Sequence, residues 1–177
     1  MISSLFLLFA ACGKKPEPTP QGWLVNGQPV TSAQNIVLSA GSSLYLPERF
    51  TVEAAADTVV RVTEPKPGMF HIHLLYGTAM LQQNDAATVV TAQVDARILR
   101  LRSARFLLQK KAAGTKLFVL DGALDLETAG NKTELAAQGE NYSEFSPTGA
   151  KYSKAAARDA VKYFPEFVNF RRLVAAR

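Results

Sequence analysis

The sequence has 177 residues, of which 47% are hydrophobic and 20% charged, and its formal net charge is +5. This balance is typical of a folded globular protein and excludes a disordered chain, and the length fits one domain with a short appendage. Because Cys12 is the one cysteine, the chain has no internal disulfide and no metal site built from several thiolates.

The chain begins with a short apolar segment, Leu5 to Ala11, directly before Cys12. A helix needs about 20 apolar residues to cross a bilayer, so this segment is too short to span a membrane, but it matches the hydrophobic region of a signal peptide. Residues 9–12, with the sequence FAAC, resemble the lipobox of bacterial lipoproteins. The resemblance implies that residues 1–11 are removed as a signal peptide and that Cys12 is acylated. The alternative is a core cysteine behind an apolar strand.

Residues 12–21 are predicted to form a lipidated tether. The stretch after Cys12, GKKPEPTP, is charged, and its alternate prolines favour an extended chain. Acyl chains contribute about 0.8 kcal/mol per buried methylene, so several of them make a lasting membrane anchor. Gly13 is not the aspartate that keeps some lipoproteins at the inner membrane. The expected location is therefore the outer membrane, facing the periplasm.

Residues 22–147 are predicted to form an all-β domain. About ten short segments rich in β-branched and aromatic residues alternate with turn residues, which predicts a stack of short strands as a sandwich, barrel or short β-solenoid. Breaks between strands are expected at Tyr76-Gly77-Thr78, between Leu101 and Arg105, and at Asp121-Gly122. At the last position, the glycine favours a tight hairpin turn.

Residues 153–177 are predicted to form a C-terminal α-helix that Pro165 kinks or splits in two. Apolar residues recur at three- and four-residue steps and give this helix an aromatic face. The aromatic members of the face are Phe164, Phe167 and Phe170. We expect the face to pack on the β domain, and the alternatives are a partner protein or a lipid surface.

Five short elements occur in order between Val37 and Phe145. They are a glycine-containing strand at 74–79 (LLYGTA), an apolar stretch at 89–98, a segment at 103–106 (SARF), a strand pair at 119–124 (VLDGAL) and a turn at 138–140 (QGE). Their order and spacing resemble the FecR domain, a periplasmic all-β module. SARF stands where that family has a GT-x-F element and keeps the phenylalanine.

The resemblance implies an envelope interaction or signalling module. Family members with the full architecture relay receptor signals to a cytoplasmic sigma factor, and they have a cytoplasmic segment and a transmembrane helix before the β domain. Here an 11-residue leader precedes Cys12, so direct regulation of a sigma factor is not expected. The expected function is a non-catalytic scaffold or docking module for another envelope protein.

The two histidines, His71 and His73, are two positions apart in a predicted strand and therefore share a face. Two imidazoles supply half of a zinc or copper site, and Asp, Glu or water would have to complete it. On this interpretation the chain is a small-ligand or metal-binding lipoprotein. The alternative is that both side chains belong to the polar outer face of a half-buried strand.

A basic stretch runs from Arg97 to Lys116 with no acidic residue in it. Arg100 and Arg102 alternate with Leu99 and Leu101, so they form a ladder on one strand face. The basic stretch suits an anionic partner, or it pairs across strands with the later Asp121, Asp125 and Glu127. The candidate residues for the anionic partner are Arg97, Arg100, Arg102 and Arg105.

No catalytic motif is found in the sequence, which has neither a G-x-S-x-G element nor a phosphate-binding glycine loop. We therefore expect no enzyme activity and no cofactor. Nucleic acid is not expected as a partner, because the chain is exported and lacks an aromatic and basic platform. The expected partners are the membrane, through the lipid anchor, and an envelope protein.

Overall fold

The computed structural model describes residues 22–30, 34–128, 130–146 and 149–167. The predicted signal peptide, Cys12, the tether and Phe170 lie outside these ranges. Within them the chain forms twelve strands and two short helical elements. None of the helices in the described ranges has the length and apolar character needed to cross a bilayer.

The strands are β1 (Leu24–Val25), β2 (Gln28–Pro29), β3 (Asn35–Leu38), β4 (Ser43–Leu46), β5 (Phe50–Lys66), β6 (Met69–Gln83), β7 (Val89–Val94), β8 (Arg97–Lys111), β9 (Gly114–Thr128), β10 (Asn131–Ala136), β11 (Tyr142–Ser146) and β12 (Gly149–Ser153). A 3₁₀ turn (Ala157–Asp159) leads into one α-helix, α1 (Ala160–Tyr163).

All twelve strands belong to one mixed sheet. Its main path is β12-β11-β9-β8-β7-β6-β5-β4-β1-β2, with β10 paired to β9 and β3 paired to β5. Between described strands, the β6–β7 ladder is parallel and the other ladders are antiparallel. The predicted all-β class is confirmed, and the antiparallel pairing favours the sandwich alternative over a solenoid, whose coils stack strands in parallel.

Four long strands, β5, β6, β8 and β9, run through two halves of the sheet, which we call the upper half and the lower half and define by their strand pairs. In the upper half, β6 pairs with β8, and β9 pairs with β11. In the lower half, β7 is inserted between β6 and β8, and β9 pairs with β10. The β5–β6 and β8–β9 ladders shift register where the halves meet. These irregularities allow the sheet to bend between its two halves.

The bends lie at positions where the sequence predicts breaks between strands. Gly77 lies within β6 at φ +105°, and a Cβ there would stand 2.5 Å from the Thr58 Cα. Gly122 lies within β9 at φ +70°, and a Cβ there would collide with the Ser103 carbonyl oxygen. The predicted hairpin at Asp121-Gly122 is therefore wrong, because the positive φ of the glycine forms a bend inside one strand.

The inner side chains of both halves meet in one core cluster, as in a sheet folded over on itself. Fully buried members from the upper half include Phe50, Leu81 and Phe106, and those from the lower half include Ile72, Leu99 and Leu126.

A second apolar cluster lies on the opposite side of the upper half, where residues 157–167 cover the sheet. The strand side chains there are Met80, Leu107, Phe118 and Leu120, and the covering side chains are Ala160, Phe164 and Phe167. Two polar contacts hold the segment in place. The side chain of Asn141 accepts from the Ala155 N–H and donates to the Ala155 carbonyl, each at 2.8 Å, and Lys111 forms an ion pair with Glu166.

The C-terminal region differs from the predicted helix over 153–177. Ser153 is the last residue of β12, which pairs with β11, so the β domain extends past residue 147. The helix is four residues long and ends at Tyr163, and the following Phe164 has a φ of −131° and a ψ of 69°, which are not helical. The chain leaves the helix directly before Pro165, because a residue before proline is disfavoured in the α region. Residues 168–177 lie outside the described ranges.

Candidate interaction face

The lower half of the sheet has an outer face, which is the side turned away from the core. His71 and His73 in β6 lie on it, since the alternate residues Ile72 and Leu74 are buried in the core. Both histidine side chains are half-buried. The two imidazoles therefore share the polar face of a half-buried strand.

An exposed apolar strip crosses three strands of this face. Val37 in β3 lies opposite Val59 in β5, which lies opposite Tyr76 in β6, and Leu75 joins them at a bulge. Val37 is 72% exposed, Tyr76 49% and Leu75 41%. We call these four residues the apolar strip. With Val89, 52% exposed, the outer face holds four of the five large apolar side chains exposed in the described parts of the chain.

A row of polar residues lies beside the apolar strip. Asn35, Arg61 and His73 are in register across β3, β5 and β6, and Gln93 continues the row into β7. The Arg61 Nε donates to the Asn35 Oδ1 at 2.9 Å, so the guanidinium lies over β3. Within the described ranges, no carboxylate forms an ion pair with Arg61. This end of the outer face therefore combines apolar surface with a cation that retains hydrogen-bonding capacity.

The two histidines lie at the same end of the face as Arg61. The ring centroids of His71 and His73 are 6.5 Å apart. Burial lowers the pKa of His73 below its usual 6.5, and the charges of His71 and Arg61 lower it further. His73 is therefore neutral at pH 7 in the free protein, and a carboxylate brought next to it would favour its protonated form.

The predicted metal site has two candidate ligands in the structure. Among the described residues, no group of three or more His, Cys, Asp or Glu side chains could hold an ion. The neighbour of His73 across the ladder is Arg61, whose charge opposes a bound cation. Metal binding at His71 and His73 stays a prediction, with water or other groups as the remaining ligands.

The arginine ladder lies at the other end of the outer face, where acids of β9 and β10 pair with it. Arg100 holds Glu127 through two hydrogen bonds of 2.6 and 3.1 Å. Arg102 contacts Asp125 at 3.1 Å and Glu134 at 2.8 Å. The hydrogen bond from Arg100 is the main cause that lowers the pKa of Glu127. Arg100 and Arg102 thus pair with acids across strands, which is the second of the two alternatives. This end of the outer face therefore carries charges of both signs.

The two other candidate arginines, Arg97 and Arg105, lie outside the ladder. Arg97 contacts Asp95 at 3.5 Å and lies over the Phe145 ring, 4.4 Å from its centroid. Arg105 is in register with Asp121 across the β8–β9 ladder. The predicted anionic site at these four arginines is therefore divided between separate local contacts, and binding of an anionic partner there stays a prediction.

The aromatic face predicted for the C-terminal helix lies against the sheet. Phe164 is fully buried and Phe167 is 8% exposed, both in the second apolar cluster. These two side chains pack on the β domain. Phe170 lies outside the described ranges.

Sequence reasoning missed the apolar strip. Its members come from residue 37, residue 59 and residues 75–76, and strand pairing brings them together. For Val37 the local sequence indicates a position on the outer face, because Val37 alternates with Ile36 and Leu38, which face the core. The bulge at Leu75 and Tyr76 gives no such indication, because strict alternation would place one of the two inside.

Comparisons with known proteins show a likeness of fold. Two crystal structures, at 2.50 and 1.65 Å resolution, of a protein from Parabacteroides distasonis ATCC 8503 described as a "putative anti-sigma factor" superpose with a TM-score of 0.61 and 14% sequence identity. The match covers 74% of this chain and 64% of the chain in those structures, which is less than two thirds of their length. No family model matches the sequence, and no curated protein matches it. The chain shares the fold of these two structures.

Proposed function

We propose that this chain is a non-catalytic, lipid-anchored cell-envelope protein with a FecR-like β domain that docks another envelope protein. Cys12 carries the lipid, and the domain faces the periplasm from the outer membrane. The docking surface is the apolar strip with Arg61 and the two histidines beside it. The observation that carries the proposal is the apolar strip, since a folded chain gains no stability from leaving these side chains in water.

Several features of the outer face support docking of a protein. Exposed apolar residues concentrated on one side of a small domain mark interaction surfaces, and tyrosine and arginine are enriched in such surfaces. Tyr76 belongs to the apolar strip, and Arg61 lies in the polar row beside it. The fold likeness to a protein described as an anti-sigma factor supports a role in recognition.

The docking proposal is tested by cross-linking in intact cells of the source bacterium. The full chain and the double variant Val37→Ser/Tyr76→Ser are compared with Val161→Ser, since Val161 is 37% exposed on α1 and lies outside the outer face. We expect the wild type and the Val161 variant to form the same discrete cross-linked product and the strip variant to lose it. A product that survives in the folded strip variant would refute the proposal.

The anchor is tested separately. We expect Cys12→Ser to move the chain from the membrane fraction to the soluble periplasmic fraction and to prevent incorporation of labelled palmitate. A Cys12→Ser chain that still sediments with outer membranes would show that another part of the protein anchors it.

The alternative is a small-ligand or metal-binding lipoprotein that uses His71 and His73. The observation behind it is the side-by-side placement of the two imidazoles on one strand face. Calorimetric titration of the full chain in detergent with Zn²⁺ or Cu²⁺ tests it. Binding that disappears in the His71→Ala/His73→Ala variant supports this alternative, and binding that persists refutes it.

A further inference from the structure

We propose that the edge of β3 with which no described strand pairs takes up an acidic, extended segment of the partner, which joins the sheet as an additional strand. This inference rests on the proposed function, because it specifies how the outer face holds its partner. It commits to one kind of occupant, a strand-forming segment with a carboxylate two positions from an apolar side chain.

The first reason is the position of β3 in the sheet. β3 (Asn35–Leu38) pairs with β5 on one side, and within the described ranges no strand pairs with its other side. An edge strand presents a row of backbone N–H and C=O groups to an incoming chain. Peptide-binding domains use such edges for strand addition, in which the backbone supplies affinity and alternate side chains supply specificity.

The second reason is the pattern of side chains along β3. Asn35 and Val37 point to the outer face, while Ile36 and Leu38 point into the core. A strand added to β3 places every second side chain on the outer face, directly beside Asn35 and Val37. The position beside Val37 continues the apolar strip and favours an apolar side chain. The position beside Asn35 lies next to the guanidinium of Arg61, which the 2.9 Å hydrogen bond holds over β3.

The third reason is the sign of the charge. The row of Asn35, Arg61 and His73 and the apolar strip contain no acidic side chain. Three acids of the outer face, Asp125, Glu127 and Glu134, lie beyond β7 and already pair with basic residues. A carboxylate beside Asn35 would therefore gain a charged hydrogen bond with Arg61 without displacing an existing ion pair.

The same charges disfavour a second copy of this chain as the occupant. Two-fold pairing of β3 with its own copy would bring two Arg61 guanidinium groups onto one face of the new ladder. Like charges on neighbouring strands destabilise a sheet. The surface is thus complementary to an acidic segment and not to itself.

The test uses a blocked, fluorescein-labelled peptide with the sequence TVTETVT. Its valines and glutamate share one face, and the symmetric order places a valine beside Val37 when the glutamate lies beside Asn35, in either strand direction. Fluorescence anisotropy measures its affinity for the full chain in detergent. We expect the peptide to bind, TVTKTVT to bind at least several-fold more weakly, and high salt to weaken the binding of TVTETVT.

Variants locate the binding site. We expect Arg61→Gln to weaken binding of TVTETVT about two- to fivefold, the effect of one exposed ion pair. Arg100→Gln is the matched control, since it removes an arginine from the same face but from the other end, and it should leave the affinity unchanged. Two further peptides carry N-methyl groups on one or the other alternate set of amides. N-methylation of the amides that face β3 should abolish binding, whereas N-methylation of the amides that face away should not. The two peptides differ because an added strand pairs with β3 along one edge only.

Three results would overturn the inference: no binding of TVTETVT, equal binding of the lysine peptide, or equal tolerance of both N-methylated sets. A dimer in light scattering that Val37→Arg dissociates would instead assign the β3 edge to a second copy. If the strip variant loses its cross-linked product while the peptide fails to bind, the docking function stands and strand addition is refuted.

Discussion

Replacement of Phe164 by alanine distinguishes a structural C-terminal segment from a detachable one. The side chain is fully buried in the second apolar cluster. Tyr163, the preceding residue, stacks on Tyr142 with ring centroids 4.2 Å apart. Asn141 and Lys111 hold the segment on either side of this cluster. Because these contacts stay in the variant, the segment cannot easily move inward to fill the space that the ring leaves.

The expected loss of stability follows from this burial. Truncation of a fully buried phenylalanine to alanine costs about 3–5 kcal/mol, which combines lost transfer free energy with the cavity left behind. For a domain of this size each kcal/mol lowers the Tm by about 2–4 °C, so the Tm should fall by about 6–20 °C. If residues 157–167 detach locally, the loss is limited to the free energy of that local opening.

Urea denaturation of the full chain, followed by tryptophan fluorescence, measures this loss. Trp23 is the one tryptophan and is 5% exposed within the main core cluster, so its emission reports unfolding of the sheet. Val161→Ala is the matched control on the same helix and should cost less than about 1 kcal/mol. If Phe164→Ala changes stability as little as the control does and removes only the cross-linked partner, then Phe164 is an interface residue and the reasoning is wrong.

Three further predictions concern bends and titrating groups. Gly77→Ala should lower the free energy of unfolding, measured by urea denaturation, by more than about 2 kcal/mol. Gly130→Ala, at a similar positive φ with open space around it, should lower it by about 1 kcal/mol. Equal losses of stability would contradict the close approach at Gly77. Arg100→Gln should raise the pKa of Glu127 in a carboxyl NMR titration. The stability that this pair contributes should be lost as the pH drops below the pKa of the glutamate in the unfolded chain, which is about 4.3. An unchanged pKa of Glu127 would refute the pairing. Because the pKa of His73 lies below its unfolded value, stability should decrease as the pH falls through 6.5, and His73→Gln should remove that part of the decrease.

The sequence predicts the all-β class and much of the alternation but not the length of the strands. Tyr76-Gly77-Thr78 and Asp121-Gly122 carry turn residues, and a turn and a bend inside a strand both need a residue at positive φ. A bend forms when the segments on both sides of the residue continue to pair with the same neighbouring strand, and a turn forms when they pair with each other. The residues that decide this pairing are spread along the chain. Ser103 makes the same point, since it has φ +53° in the middle of β8 with no glycine to mark it.

The candidate site is predictable in part. The shared face of His71 and His73 follows from strand alternation and was predicted. Two partners of Arg100 and Arg102, Glu127 and Asp125, were among the stated alternatives, whereas Glu134, which also contacts Arg102, was not. The apolar strip was not predicted, because Val37 and Tyr76 become neighbours through β5, and this requires the register of two ladders.

Residues 157–167 follow all twelve strands in the chain, and this order has a consequence for biogenesis. Until they emerge, the outer side of the upper half presents Met80, Leu107, Phe118 and Leu120 to the surroundings. A nascent chain with its sheet already paired therefore carries an exposed apolar surface that its own last described residues must cover. Chaperones and proteases would meet this surface first, so the time between sheet pairing and covering sets how much newly made protein survives.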